Sequence, residues 1–279
     1  MKNTRAALLG AVLLVFSIGP SSCAYFEASA PNAGLIVGID YYPYPNALNY
    51  CVADAQSISD SLSGYQATRL FGINPLVIRK EMVFAALREA ASLAPPKGYD
   101  SFVFYYAGHG MGYNGDLVMG DYTFSTSDTT LINPTELLNA IANIPAKSRL
   151  IILDSCLSGA FVEEPGLKWT DESTLPLLIQ AAASEYEKSA RGNILVMSAS
   201  GPDQLSQESS SLGHGFFTAG LLESQREGDI NGDGCITVSE AYTYARSYVA
   251  RHFNANNPWQ AYTPQISSTA MDLVLFKAK

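Results

Sequence analysis

The chain has 279 residues, 47% of them hydrophobic and 15% charged. That is enough apolar material for one α/β domain of about 250 residues and too much for a disordered chain. A formal net charge of −9 argues against nucleic-acid binding, which needs clustered Lys and Arg to replace counterions on phosphates.

In chain order, residues 1–23 come first. They combine a basic start (Lys2, Arg5), an apolar run from Ala6 to Ile18 and small residues after it, the pattern of a secretory signal peptide and too short for a membrane span. Cys23 stands where a bacterial lipoprotein signal places its lipidated cysteine, although Pro20 replaces the usual Leu, Val or Ile. Ordinary cleavage near Ser22-Cys23-Ala24 is the alternative. The expectation is an exported protein, either a periplasmic or outer-membrane lipoprotein or a soluble secreted one. Any membrane attachment is then through that anchor alone. Without the leader the chain keeps 15 basic and 26 acidic residues, a net −11, a balance suited to basic substrates.

Residues 24–33 read as a tether, and residues 34–279 as one domain. Gly34 to Ile39 reads as a first strand, and residues 47–62 as a helix with Leu48, Val52, Ala55, Ile58 and Leu62 on one face. Gln66 to Leu70 follows as a strand, and residues 80–93 as a helix marked by Phe84, Leu87 and Ala91. Phe102 to Tyr106 is a wholly apolar strand. Asn133-Pro134 opens a helix, Asn as cap and Pro in the first turn, carrying Leu137, Leu138 and Ile141. Leu150–Leu153 and Ile194–Met197 read as buried strands, a helix is expected from Leu175 to Tyr186, and Asp272–Phe276 reads as the last strand. Strands apolar on both faces, alternating with amphipathic helices, predict an α/β sandwich around a mostly parallel sheet. Ligand sites of such sheets lie beyond the carboxyl ends of the strands.

Two strands end in chemistry-bearing residues. Phe102–Tyr106 runs into Ala107-Gly108-His109-Gly110, and Leu150–Leu153 into Asp154-Ser155-Cys156-Leu157-Ser158-Gly159. If the strands are parallel, His109 and Cys156 leave the same rim. An imidazole beside a thiol can favour the thiolate and then protonate a leaving amine. The N–H groups of Cys156 and Gly110 are placed to receive the developing oxyanion. Of the cysteines beyond the leader, Cys51, Cys156 and Cys235, at least one must stay unpaired among themselves, and a reactive role would explain it.

YYAGHG followed 47 residues later by ILDSCLSG resembles the caspase and metacaspase superfamily, whose His lies about 50 residues upstream of its Cys. The likeness extends through Gly34–Asp40, Leu48–Ala55 and Val196–Ser200. It implies a caspase-like three-layer sandwich and a cysteine endopeptidase with His109 and Cys156 as its dyad. It also implies a primary specificity pocket formed by Asp154, Cys51 and Asp54. Cys51 and Asp54, three apart, share a helical face, and two carboxylates in one recess attract Lys or Arg and repel Asp. The expected partner is therefore a peptide or protein with a basic residue before the scissile bond. Ala107 and Leu157 depart from the metacaspase pattern, which has Ser and His there.

Asp229 to Glu240 fits the twelve-residue calcium loop. Asp229, Asn231 and Asp233 stand at positions one, three and five, Gly234 at six, the Cys235 carbonyl at seven and Glu240 at twelve. Ca2+ is the expected cofactor, with no organic one, and helical segments Phe216–Leu222 and Ala241–His252 flank the loop. Between the nucleophile and the next strand, Lys168, Lys188 and Arg191 are candidate self-cleavage points. Two other readings compete: a catalytically inactive, calcium-binding surface protein that keeps the fold, and a caspase-like hydrolase preferring Asn or Asp.

Overall fold

The computed structural model describes residues 31–43, 46–112, 115–123, 127–157, 193–267 and 273–279. The leader with Cys23, the Leu175–Tyr186 helix and the points Lys168, Lys188 and Arg191 lie outside them. The described elements run β1 (Asn32–Ile39), α1 (Cys51–Ser61), β2 (Tyr65–Gly72), α2 (Lys80–Ser92), β3 (Tyr99–Ala107), β4 (Gly110–Met111), β5 (Asp116–Val118), α3 (Ser127–Thr130), β6 (Leu131–Ile132), α4 (Pro134–Ala142), β7 (Ala146–Asp154), β8 (Asn193–Ser198), β9 (Glu208–Ser209) and β10 (His214–Gly215). Then come α5 (Phe216–Glu227), β11 (Cys235–Thr237), α6 (Val238–Val249), β12 (Gln265–Ile266) and β13 (Val274–Lys277).

Among the described residues the central sheet has the strand order β12-β8-β7-β3-β1-β2. Every pairing in it is parallel except that of β12 with β8. Strand side chains alternate between faces, and here both faces are covered. Phe102, Phe104 and Tyr106 of β3, with Ile151 and Leu153 of β7, pack with Val83 and Leu87 of α2 and with Leu137 and Ile141 of α4. Val103, Tyr105, Leu150 and Ile152 pack on the other face with α1, α5 and α6, through Ala55, Ile58, Phe217, Leu221, Ala241 and Ala245. Each fully buried Leu, Ile or Phe contributes about 1.5–3 kcal/mol, which explains why these strands read as unbroken apolar runs.

Three local readings are corrected. β1 begins at Asn32, two residues inside the expected tether, because Asn32 Oδ1 accepts hydrogen bonds from the N–H and hydroxyl of Ser101 on β3. The buried face of α2 is set by Val83 and Leu87, and Phe84 turns to its edge, where the Lys80 ammonium lies 6.0 Å from the ring centroid. The last strand leaves the central sheet to pair antiparallel with β11. The cap of α4 is as expected: Asn133 and Glu136 form a reciprocal capping box with Pro at the helix start. Among the described residues no helix is long and apolar enough to cross a membrane.

Candidate active site

The sheet reverses its winding between β1 and β3, the place where such sheets leave a crevice at their carboxyl ends. Three segments meet there: residues 40–43 and 46–50 after β1, 108–110 after β3 and 155–157 after β7. β3 and β7 are in parallel register up to the pair Ala107 and Asp154, and Gly108 N–H donates to the Asp154 carbonyl at 3.2 Å. His109 and Cys156 therefore each leave the sheet two residues past a matched pair, on one rim. Gly110 presses on the nucleophile loop: a Cβ there would meet the Cys156 carbonyl oxygen at 2.1 Å.

His109 is positioned by residues that follow β1. Its Nε2 lies 2.7 Å from the Asn46 carbonyl, which can only accept, so Nε2 carries the proton and Nδ1 is left with the lone pair. Its ring stands against Tyr42, with centroids 4.7 Å apart, and its N–H donates to the Tyr42 hydroxyl at 3.1 Å. Burial pulls its pKa below the ordinary value, partly opposed by the Asn46 carbonyl. Cys156 is half-buried, and its thiol donates to the Ser206 carbonyl at 3.7 Å. Burial pushes this thiol up, against the stabilising Ser206 contacts. Both shifts favour the uncharged forms, a thiol and a neutral imidazole. Leu157 has φ 59°, the left-handed region that costs a β-carbon residue about 1–2 kcal/mol. Its N–H donation to Gln204 O at 2.9 Å holds that turn.

Asp54 and Asp154 converge although 100 residues separate them. Asp154 continues the face of Leu150 and Ile152, the side of the sheet on which α1 packs. Both side chains are buried, with 2% and 7% of the residue exposed. Both reach Gly215: its N–H donates to Asp54 Oδ2 at 3.1 Å, and a Cβ there would meet Asp154 Oδ2 at 2.7 Å and Asp54 Oδ2 at 3.2 Å. Thr218 donates to Asp154 Oδ2 from its N–H at 3.2 Å and its hydroxyl at 2.7 Å, and Tyr105 bonds that hydroxyl in turn at 2.7 Å. Burial raises Asp54 to about 6 despite His214. Burial, and then the neighbouring Asp54 charge, raises Asp154 to about 7. Cys51 is buried on the same face of α1 as Asp54, its thiol raised by burial and next by Asp54. Cys51 and Cys156 are free thiols.

Several of these residues had escaped sequence reasoning. Asn46 acts through its carbonyl, which carries no sequence signal. Ser206, Glu208 and His214 lie on a polar segment after β8. Glu208 accepts from the N–H groups of Asn49 and Tyr50 and Asp40 from that of Val52, so two distant acids satisfy the start of α1. One signal was available: His214 lies between two glycines, as His109 does.

In the calcium-loop segment, Asp229 draws the chain round itself. Its Oδ1 accepts from Gly232 and Asp233 N–H, and its Oδ2 from Gly234 N–H. Asn231 Oδ1 accepts from Asp233 N–H. Glu240 closes the loop by accepting from Ile230 N–H at 3.3 Å and caps α6 with Thr237. Among the described residues no three His, Cys, Asp or Glu side chains form a ready metal cluster. Asp229, Asp233 and Glu240, the three carboxylates of the expected donor set, are therefore not gathered as one, and those of Asp229 and Asp233 accept from backbone N–H groups of the loop instead.

One rim of a parallel sheet thus presents a thiol, an imidazole with a free lone pair and an acid recess, the parts of a thiol acyl-transfer site. The caspase-domain model of peptidase family C14 matches residues 32–275, and the chain belongs to that family, which is one of cysteine peptidases. It is 29% identical over 161 residues to metacaspase-1 of Candida glabrata, covering 50% of this chain and 40% of that protein. It is 26% identical over 263 residues to metacaspase-1 of Scheffersomyces stipitis, covering 80% of this chain and 64% of that protein. It therefore spans less than two thirds of the length of either relative. Caspase-1 from Spodoptera frugiperda shares the fold, with a TM-score of 0.60 at 15% identity over 90% of this chain and 92% of that one.

Proposed function

We propose that the protein is a cysteine endopeptidase that cleaves after Arg or Lys, with Cys156 as nucleophile and His109 as acid/base partner. The observation that carries this is the shared departure of His109 and Cys156 from one register pair, with Nδ1 of the imidazole left as the proton acceptor. The scissile carbonyl lies against Cys156, and the thiol turns from Ser206 O to His109. Nδ1 takes its proton as sulfur attacks the carbonyl carbon. The N–H groups of Cys156 and Gly110 hold the oxyanion. The tetrahedral intermediate collapses as His109 protonates the amine leaving group, giving a thioester. Water, its proton taken by His109, then releases the acid product. A neutral resting pair suits this sequence, since charge separates only when substrate is present.

Asp54 and Asp154 are proposed to receive the basic side chain, beside Cys51. Both would ionise fully against a bound ammonium or guanidinium, which replaces the solvent they lack. Asp229, Asn231, Asp233, the Cys235 carbonyl and Glu240 would hold Ca2+, whose chemistry would be structural, neutralising the acids of a loop that leads from α5 into β11, the partner of the C-terminal strand, and on into α6. Export, with or without a lipid on Cys23, rests on the leader sequence.

The test is turnover of fluorogenic peptides ending in Arg, Lys, Asn or Asp by wild-type and Cys156→Ala protein, with calcium and with chelator. The expected result is wild-type cleavage after Arg and Lys only. Cleavage after Asp alone would overturn the acid-pocket reading. Failure to cleave any peptide would favour a non-catalytic binding protein.

A further inference from the structure

The acid recess contains a third ionisable group. His214 Nδ1 lies 2.6 Å from Asp54 Oδ1, and the imidazole is the more exposed partner, with 25% of its side chain accessible against 3% for Asp54. It stands on β10, paired with β9, and the next residue, Gly215, touches both carboxylates. A histidine tied to one acid of a recess that takes basic side chains is a competing cation.

The groups set around it come from every neighbouring element. Asp54 from α1 and Asp154 from the end of β7 act on it directly, and around those carboxylates stand Cys51 from α1, Glu208 from β9, Tyr105 from β3 and Thr218 from α5, with Asp40 from the end of β1 acting on Cys51. Among these described residues the imidazole alone can carry a positive charge. We propose that His214 is a specificity-determining residue: protonated, it occupies the cation's place at Asp54, and neutral, it leaves both carboxylates to a substrate's Lys or Arg. The preference for basic substrates then strengthens as His214 loses its proton. This rests on the basic-pocket reading above.

The hydrogen bond to Asp54 raises the His214 pKa above its ordinary value, with burial acting the other way. Asp54 and Asp154, raised to about 6 and about 7, add negative charge in the same direction as pH rises. The experiment therefore reads the imidazole itself. With three histidines in the chain, ring NMR signals of the Cys156→Ala protein are assignable, that of His214 by its loss in Cys156→Ala/His214→Asn. Titrations are run alone, with an arginine-ended peptide and with its glutamine-ended counterpart.

The arginine-ended peptide is expected to bind more tightly than the glutamine-ended one and to lower the His214 midpoint by about one unit or more, a tenfold change in proton affinity. The Arg-over-Gln affinity ratio rises about fivefold or more between pH 6 and 8.5. Selective binding of the arginine-ended peptide with an unmoved His214 midpoint would overturn the proposal and leave the pocket reading intact. Equal or absent binding of the two peptides would remove the pocket reading and the proposal with it.

Discussion

Gly108 donates its N–H to the carbonyl of Asp154 at 3.2 Å, which carries the β3–β7 pairing one step past the end of β3. That bond ties the loop holding His109 to the loop holding Cys156 through backbone alone. The side chain of the same Asp154 turns into the acid recess, so in the proposed mechanism one residue would link the nucleophile's loop to the substrate's side chain.

The resting charge state gives the first prediction. Burial raises the Cys156 thiol above its ordinary 9.0 and lowers His109 below 6.5. Free-enzyme alkylation by iodoacetamide should be slow at pH 7 and should keep climbing beyond pH 9, because only thiolate reacts. Mass mapping at Cys156 across pH checks this. A rate that saturates below pH 7 would instead show a preformed thiolate–imidazolium pair.

Asp154→Asn separates function from stability. A carboxyl whose folded pKa lies above its unfolded value binds more protons when folded, so its contribution falls as pH rises. For Asp154, from 3.8 to about 7, that loss spans roughly pH 4 to 7. Asparagine keeps an acceptor for Thr218 and cannot ionise. The variant should gain stability at pH 8 relative to wild type, on the order of 1–2 kcal/mol or a few degrees in Tm, and gain little at pH 4. Its kcat/KM on Arg-ended peptides should fall about tenfold or more. Paired thermal melts and assays check both signs.

The acid recess was only half legible in sequence. Spacing put Cys51 and Asp54 on one helical face, and resemblance joined Asp154 to them, because those signals are local. The satisfaction of Asp54 by Gly215 and His214 depends on residues 160 and more positions away, and a polar loop has no periodicity to announce its fold. Likewise the strands of the central sheet were readable from apolar runs, since burial on both faces imposes them. The pairing of β13 with β11 was not, because strand partners are a long-range choice. In α2 Leu87 was legible and Val83 was not: Phe84 and Ala91 pack against the same core from its edge, and an aromatic ring beside a lysine stem is satisfied there.

Gly110 offers a steric test. Alanine there would place Cβ 2.1 Å from the Cys156 carbonyl oxygen, and one of the two loops must move. The expected cost is about 1–3 kcal/mol in stability and about 100-fold in kcat/KM, as a displacement near 1 Å at the nucleophile would give. Thermal melts with peptide kinetics check it; near-wild-type turnover would show that the contact does not position the nucleophile.

Calcium should stabilise the protein by mass action, about 2.7 kcal/mol when its concentration is 100 times the dissociation constant. Asp229→Asn keeps an acceptor for the Gly232 and Asp233 N–H groups, gives up the one for Gly234, and removes a charge that the ion needs. Melts with calcium and with chelator should differ for wild type and coincide for this variant. Equal melting of the wild type in both conditions would leave the loop as a hydrogen-bonded turn.

The most direct measurement is active-site trapping. Wild-type and His109→Ala proteins are treated with an arginine-ended peptidyl chloromethyl ketone, and the adduct is located by intact mass and peptide mapping. The account predicts one adduct, on Cys156, formed faster than with the aspartate-ended reagent and at least about 100-fold more slowly in His109→Ala. An adduct on Cys51, or equal rates in the two proteins, would contradict it.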